Sequence, residues 1–255
     1  MSRFPNPGIV AGPRLNATPI VITRDFGGAG PVSSGDVTMS LPAGGAGQML
    51  VAVIGFRGSP AFTMPSGWSV ARQVTDASTA NSGPTSFLFA YKLRGASEPT
   101  PTFSRIGGSQ TNGNLIGYTP SRGSLNFDAV SGTVGNTASP LTLPSFTVGF
   151  PSLIVAAFTH GSFWSFPQAG FIAANMTATA ASGTFVPSPT GIVSGAEWGN
   201  AAIAARSFGG VNVGTQIVDV WDAPAGSLDS TTGTMSSPFP GGNYNGAAVS
   251  FRWSP

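Results

Sequence analysis

The 255-residue chain has no cysteine and a single histidine. Without cysteine there is neither a disulfide nor a thiolate-ligated metal. Any catalytic arrangement that needs an imidazole must use His160, and no G-x-S-x-G elbow supplies a serine to match it. Charge is equally scarce: Asp, Glu, Lys and Arg make up 8% of the residues, against about 25% in an ordinary globular domain. The net charge is +2 and the arginines are scattered, so the clustered basic face of a nucleic-acid binder is missing. No apolar run approaches the ~18 residues of a membrane span. The first residues lack the basic and apolar regions of a signal peptide. The expectations are a protein made in a bacterial cytoplasm without secretion, with no membrane and no nucleic acid among its partners.

Glycine (36) and proline (22) are abundant, and 41% of the residues are hydrophobic. Turns are therefore frequent, and there is enough apolar material for a folded core. The apolar residues recur with period two, as in strands. Val37, Met39 and Leu41 alternate in VTMSL, and Phe87, Phe89, Tyr91 and Leu93 in SFLFAYKLR, with Lys92 and Arg94 on the other face. Trp68, Val70 and Val74 read as one face of a strand, with Arg72 in register. Ala247, Val249, Phe251 and Trp253 form another, opposite Arg252. The best helical candidate, Ala173–Ala181, is weakened by interleaved Thr and Asn. The predicted fold is all-β, a duplicated β-sandwich of jelly-roll-like character with essentially no helix. Two runs, Met49–Phe56 and Leu153–Phe158, are apolar on both faces. A strand in a simple two-sheet sandwich exposes one face, so these need an outer cover: the N-terminal arm, the other half of the chain, or another subunit.

Those two runs open a longer repetition. GQMLVAVIGFRGSPAFTMPSGW and GFPSLIVAAFTHGSFWSFPQAGF each pass from a turn glycine through an apolar run and a proline-bearing loop to Gly-aromatic. Each half then closes on an Asn-Gly-led strand, Asn112-Gly113 towards Tyr118 and Asn245-Gly246 towards Phe251. Shared landmarks in the same order indicate duplication. The predicted organisation is an N-terminal arm at 1–34 and repeats at 35–138 and 139–255, either separate or sharing one core, with a joint at Gly132–Ser145.

The landmarks Leu50–Arg57, Pro65–Trp68, Phe89–Arg94, Ala96–Pro99, Leu153–Phe158 and Ala247–Arg252 together resemble β-sandwich proteins of tailed-bacteriophage and prophage virions. The resemblance implies a structural role in the particle: a head-decoration or cement protein, or a tail appendage. It implies a multimer, with a homotrimer as the expected form, contacts with other virion proteins such as the major capsid protein, and location in the virion. It brings no catalytic residues.

Sites of chemistry are few. Asp219 and Asp222 are three apart, which on a strand sends them to opposite faces, whereas glycosidase carboxylates must face one sugar. GGAGP at Gly27 and GGAGQ at Gly44 do not continue to Gly-Lys-Ser/Thr and read as turns before strands. No metal-ligand series is present. The sequence thus predicts no catalytic residue, cofactor or metal. One candidate interaction surface remains. Phe163, Trp164 and Phe166 crowd one loop, and Glu197 beside Trp198 is a second aromatic with a carboxylate. They fit a subunit contact, a stacking platform for a host glycan, or a loop folded over the core edge.

Overall fold

The computed structural model describes residues 20–28, 35–58, 61–75, 85–107, 109–131, 134–135, 141–142, 146–149, 152–162, 177–180, 183–185, 200–208, 211–222, 230–237 and 243–255. Among the described residues there is no helix, and the protein is all-β. In chain order the strands are β1 (Ile22–Phe26), β2 (Val37–Thr38), β3 (Met49–Arg57), β4 (Ala61–Thr63), β5 (Ser69–Thr75), β6 (Thr85–Leu93), β7 (Thr102–Ile106) and β8 (Ser109–Pro120). There follow β9 (Ser124–Val130), β10 (Val134–Gly135), β11 (Leu141–Thr142), β12 (Phe146–Gly149), β13 (Ser152–Ser162), β14 (Thr177–Ala180), β15 (Gly183–Phe185), β16 (Asn200–Phe208), β17 (Val211–Asp222), β18 (Ser230–Ser237) and β19 (Asn243–Ser254). Thr177–Ala180, inside the helical candidate, is strand β14.

The antiparallel pairings draw the same diagram twice. The first eight strands make a large sheet, β1-β8-β3-β6-β5, and a small one, β2-β7-β4. The later strands make a large sheet, β19-β13-β17-β16 with β9 and β10 both on β19, and a small one in which β11, β12 and β14 pair with β18. Replacing β1, β3, β5, β6 and β8 by β9, β13, β16, β17 and β19 reproduces the large sheet. The registers coincide as well. Val51 stands opposite Ile116 and Tyr91, and Val155 stands opposite Val249 and Asp219. The β5–β6 pairing shifts register between Val70 and Arg72, and the β16–β17 pairing shifts between Asn200 and Ala202, opposite equivalent residues. Val51 therefore matches Val155. Aligning Leu50 with Leu153 would place equivalent residues on opposite faces, since strand side chains alternate.

The large sheets pack face to face. Met49, Val51, Val53, Phe87, Phe89, Ile116 and Tyr118 from the first share one buried cluster with Leu153, Val155, Ala157, Ala247, Val249 and Phe251 from the second. The other face of β3 is covered by the small sheet of the same unit. Leu50, Ala52, Ile54 and Phe56 pack with Val37, Met39, Leu88, Leu115, Trp68 and Phe103, with Phe62 and Met64 at the margin. Both faces of the first apolar run are thus covered by the chain itself, one by the second unit and one by β2-β7-β4. In β13, Leu153 through Ala157 are buried on both faces too.

The predicted alternations hold for Val37–Leu41, for Phe87–Tyr91 and for Ala247–Trp253, whose Arg252 is exposed. One does not. Trp68 lies in the outer cluster and Val70 is exposed, while Ala71 and Val74 pack on the shared core. The bulge between Val70 and Arg72 adds a residue and exchanges the faces beyond it.

The unit boundary lies elsewhere than the composition indicates. Within the segment read as an arm, Ile22–Phe26 is strand β1 paired with β8; the remaining arm residues before 20 lie outside the described residues. β9 falls in the first predicted repeat but is hydrogen-bonded to β19. The chain crosses between the large sheets at Ser121–Gly123, where Gly123 has φ 69°. There the Trp253 indole donates to the Arg122 carbonyl at 2.7 Å, and the Arg122 guanidinium lies 5.8 Å from the Trp253 ring.

Candidate functional site

Three clusters of hydrogen-bonded polar side chains stand out among the described residues. The first joins Pro65–Trp68, Phe89–Arg94 and Ala96–Pro99. In Pro65–Trp68 the Trp68 amide donates to the Pro65 carbonyl, and Gly67 has φ 77°. The Lys92 ammonium, on β6, donates to the Ser66 carbonyl at 2.9 Å and pairs with Glu98 at 2.7 Å. Glu98, 4% exposed, also accepts from the Gly95 amide. A Cβ on Gly67 would come within 3.0 Å of the Lys92 chain. One ammonium thus ties the P-x-G-W turn, the F-A-Y-K-L strand and the A-S-E-P loop together. Their co-occurrence is a folding requirement.

The second cluster is centred on Gln48, a fully buried amide at the start of the doubly buried run. Its nitrogen donates to Asp25 Oδ2 (3.0 Å), the Ala43 carbonyl (2.9 Å) and Thr119 Oγ1 (3.2 Å); its oxygen accepts from Arg94 Nη1 at 2.9 Å. Arg94 also donates to the Pro42 carbonyl. The amide lies against Gly117, where any Cβ would overlap it, and against Gly44, at φ 117°. GGAGQ is a turn before a strand, as its sequence indicates, but its glutamine is a buried polar hub that the turn signal conceals.

In the third cluster, Asp36 accepts from Ser104 Oγ at 3.0 Å and from the Arg105 amide at 3.3 Å. Burial pushes the Arg105 guanidinium below its ordinary range, and the neighbouring Asp36 carboxylate opposes that shift. Among the described residues, no group of three His, Asp or Glu is placed to hold a metal ion.

Six large apolar side chains are exposed among the described residues. Tyr91 of the first unit stacks on Phe127 of β9 with ring centroids 4.9 Å apart and planes 7° apart, and Phe251 meets both edge-on. This seam closes one rim of the shared core. Phe127 is exposed there, and so is Leu93, two residues beyond Tyr91 on the same face of β6. Val21 precedes β1 and Phe26 ends it, Val70 lies on the edge strand β5, and Ile106, 78% exposed, ends β7. Sequence reading missed Phe127. Its signal was the Leu125–Phe127 alternation beside the Gly123 turn.

The predicted interaction residues Phe163, Trp164, Phe166, Glu197 and Trp198 lie outside the described residues. His160 stands in β13 opposite Gly214 and Tyr244. Asp219 and Asp222 both belong to the unbroken strand β17, at positions of opposite parity, opposite Val155 and Ser152.

Fold and site together define a duplicated all-β protein in which Lys92, Gln48 and Asp36 each tie separate stretches of the chain. No protein family, curated protein or solved structure matches the chain.

Proposed function

We propose that the protein is a non-enzymatic structural component of a phage virion, a capsid decoration or cement protein that acts as a homo-oligomer, as a trimer, on the major capsid protein. The observation that carries this reading is the apolar surface. Val21, Phe26, Val70, Leu93, Ile106 and Phe127 face outward on a chain with only 8% charged residues. Single exposed apolar side chains are ordinary. With so few charges to keep copies apart, six of them on several margins of a stiff scaffold favour subunit contact. Burying such side chains contributes ~25 cal/mol per Å², repeated over every copy, with little dependence on salt. The virion resemblance supplies the setting, and the clamps at Lys92 and Gln48 supply the stiffness. A cement protein delays disruption of the shell, so particles lacking this protein should release their genome at a lower temperature, and adding purified protein back should restore the midpoint. Protein-free particles with unchanged resistance to heat and low ionic strength would overturn the proposal.

The second reading, a tail-appendage module binding a host receptor or glycan, rests on the flat Tyr91–Phe127 pair and on the sequence crowding of Phe163, Trp164 and Phe166. It predicts that Trp164→Ala or Phe127→Ala abolishes adsorption to host cells while particle heat resistance is unchanged.

A further inference from the structure

The contact between the two units does not depend on the chain that crosses between them. Among the described residues every strand pairing stays within one unit, β1 to β8 in the first and β9 to β19 in the second. What joins the units is the apolar layer, the Tyr91, Phe127 and Phe251 rings, and the Arg72 guanidinium donating to the Ser131 carbonyl at 2.7 Å. The crossing itself is short and divided. Facing sheets lie ~10 Å apart and an extended residue spans ~3.5 Å, so Ser121–Gly123, between the end of β8 and the start of β9, has little slack. Ser121 is held by the first unit: its amide donates to the Val21 carbonyl at 2.7 Å, and its hydroxyl accepts from the Val21 amide at 3.0 Å. Arg122 and Gly123 are held by the second. The Trp253 indole donates to the Arg122 carbonyl, and a Cβ on Gly123 would overlap the Ser254 carbonyl and lie 2.7 Å from the indole nitrogen. Gly123 has φ 69°, a conformation that a side chain disfavours.

We infer that Ser121–Gly123 is an exchange hinge. Closed at Gly123, it sets the second unit on the first unit of its own chain. Opened at Arg122 and Gly123 into extended backbone from β8 to β9, it sets that unit on the first unit of a second copy, which returns the exchange. The product is a reciprocal dimer. It keeps every strand pairing and the whole apolar layer, and differs from two monomers only at the hinge. In the closed chain the two units meet at the high effective concentration of a tethered pair, so the conformational freedom of Gly123 decides for the monomer. The exchange uses the interior layer and does not rest on the virion reading.

The test is refolding of the full-length chain from urea, read by size-exclusion chromatography with light scattering. Gly123→Ala should raise the dimer-to-monomer ratio roughly tenfold or more at equal protein concentration, because the closed hinge then carries a side chain in the left-handed region. Inserting Gly-Ser-Gly-Ser after position 123 of that variant should return it to monomer, since a longer crossing no longer needs the tight turn. Leu93→Cys with Asn126→Cys separates exchange from ordinary association. The two sites flank the Tyr91–Phe127 stack on different units, and the chain has no cysteine of its own. A bifunctional maleimide links them within one chain in the monomer and between chains in the exchanged dimer, which doubles the mass on a denaturing gel. A Gly123→Ala protein that refolds only as monomer, a dimer linked only within chains, or a dimer that persists with the lengthened crossing would overturn the inference. If Gly123→Ala fails to fold, the unsubstituted hinge refolded at high concentration decides: dimer linked between chains supports exchange, and monomer alone overturns it.

Discussion

Gln48 and Gly117 show how one residue explains another. Gly117 belongs to β8, where a strand-forming side chain would pack better, yet the Gln48 carboxamide fills its space. Gly117→Ala should destabilise by about 1–3 kcal/mol, the usual cost of overpacking. In a Gln48→Ala background the penalty should largely vanish, and equal penalties in both backgrounds, measured by urea titration, would refute the explanation. Gln48→Ala alone should cost about 1–3 kcal/mol, because Arg94 and Asp25 lose a buried partner. The GGAGQ signal for a turn was legible in the sequence. The hub was not, because Asp25, Ala43, Arg94 and Thr119 reach Gln48 from four separate stretches. The Lys92 clamp was half legible: its three stretches stand out as a pattern, but the single ammonium joining them shows only once Ser66 and Glu98 meet it.

At the scale of the element, the bulge is the decisive detail. Period-two reading places Trp68, Val70 and Val74 on one face, and one additional residue in β5 separates them between two cores. The same shift recurs in β16 at an equivalent pairing position, so it belongs to the design of the edge strand, where bulges discourage pairing with foreign strands. Deleting Ala71 should leave Arg72 opposite Phe89 and Val74 opposite Phe87 in an unbroken register, so Val74 stays on the shared core and the variant folds with a loss of about 1–3 kcal/mol. Val70→Thr, at an exposed position, should change stability by less than ~0.5 kcal/mol. An Ala71 deletion that cannot fold, as judged by loss of the cooperative urea transition, would contradict the assigned register. Alternation was readable wherever pairing is regular, as in Phe87–Tyr91. It failed at Val70 because a bulge leaves no local mark in a sequence of Ala, Arg and Gln. The repeat was readable in its landmarks, and its register was not, since Leu50 resembles Leu153 as closely as Val51 resembles Val155 until facing direction is known.

For the whole molecule, the apolar layer between the large sheets binds the units into one folding entity. Phe89→Ala from the first unit and Phe251→Ala from the second should each cost about 3–5 kcal/mol and should shift one common transition. Calorimetry resolving two transitions, each sensitive to one substitution, would contradict the shared core. Composition made the all-β class legible, but not the crossing point at Ser121–Gly123, because a three-residue turn leaves less trace than the Gly- and Pro-rich stretch that follows β9. A two-unit body, inward in its polar bonding and apolar at several margins, is suited to being one of many copies in contact. The proposed role predicts where those copies are. Electron cryomicroscopy of purified particles tests it most directly. The account predicts paired-sandwich density repeated over the capsid lattice, with margins such as those bearing Phe26, Ile106 and Phe127 against neighbouring subunits. Absence of the protein from particles, or its confinement to the tip of a tail appendage, would contradict it.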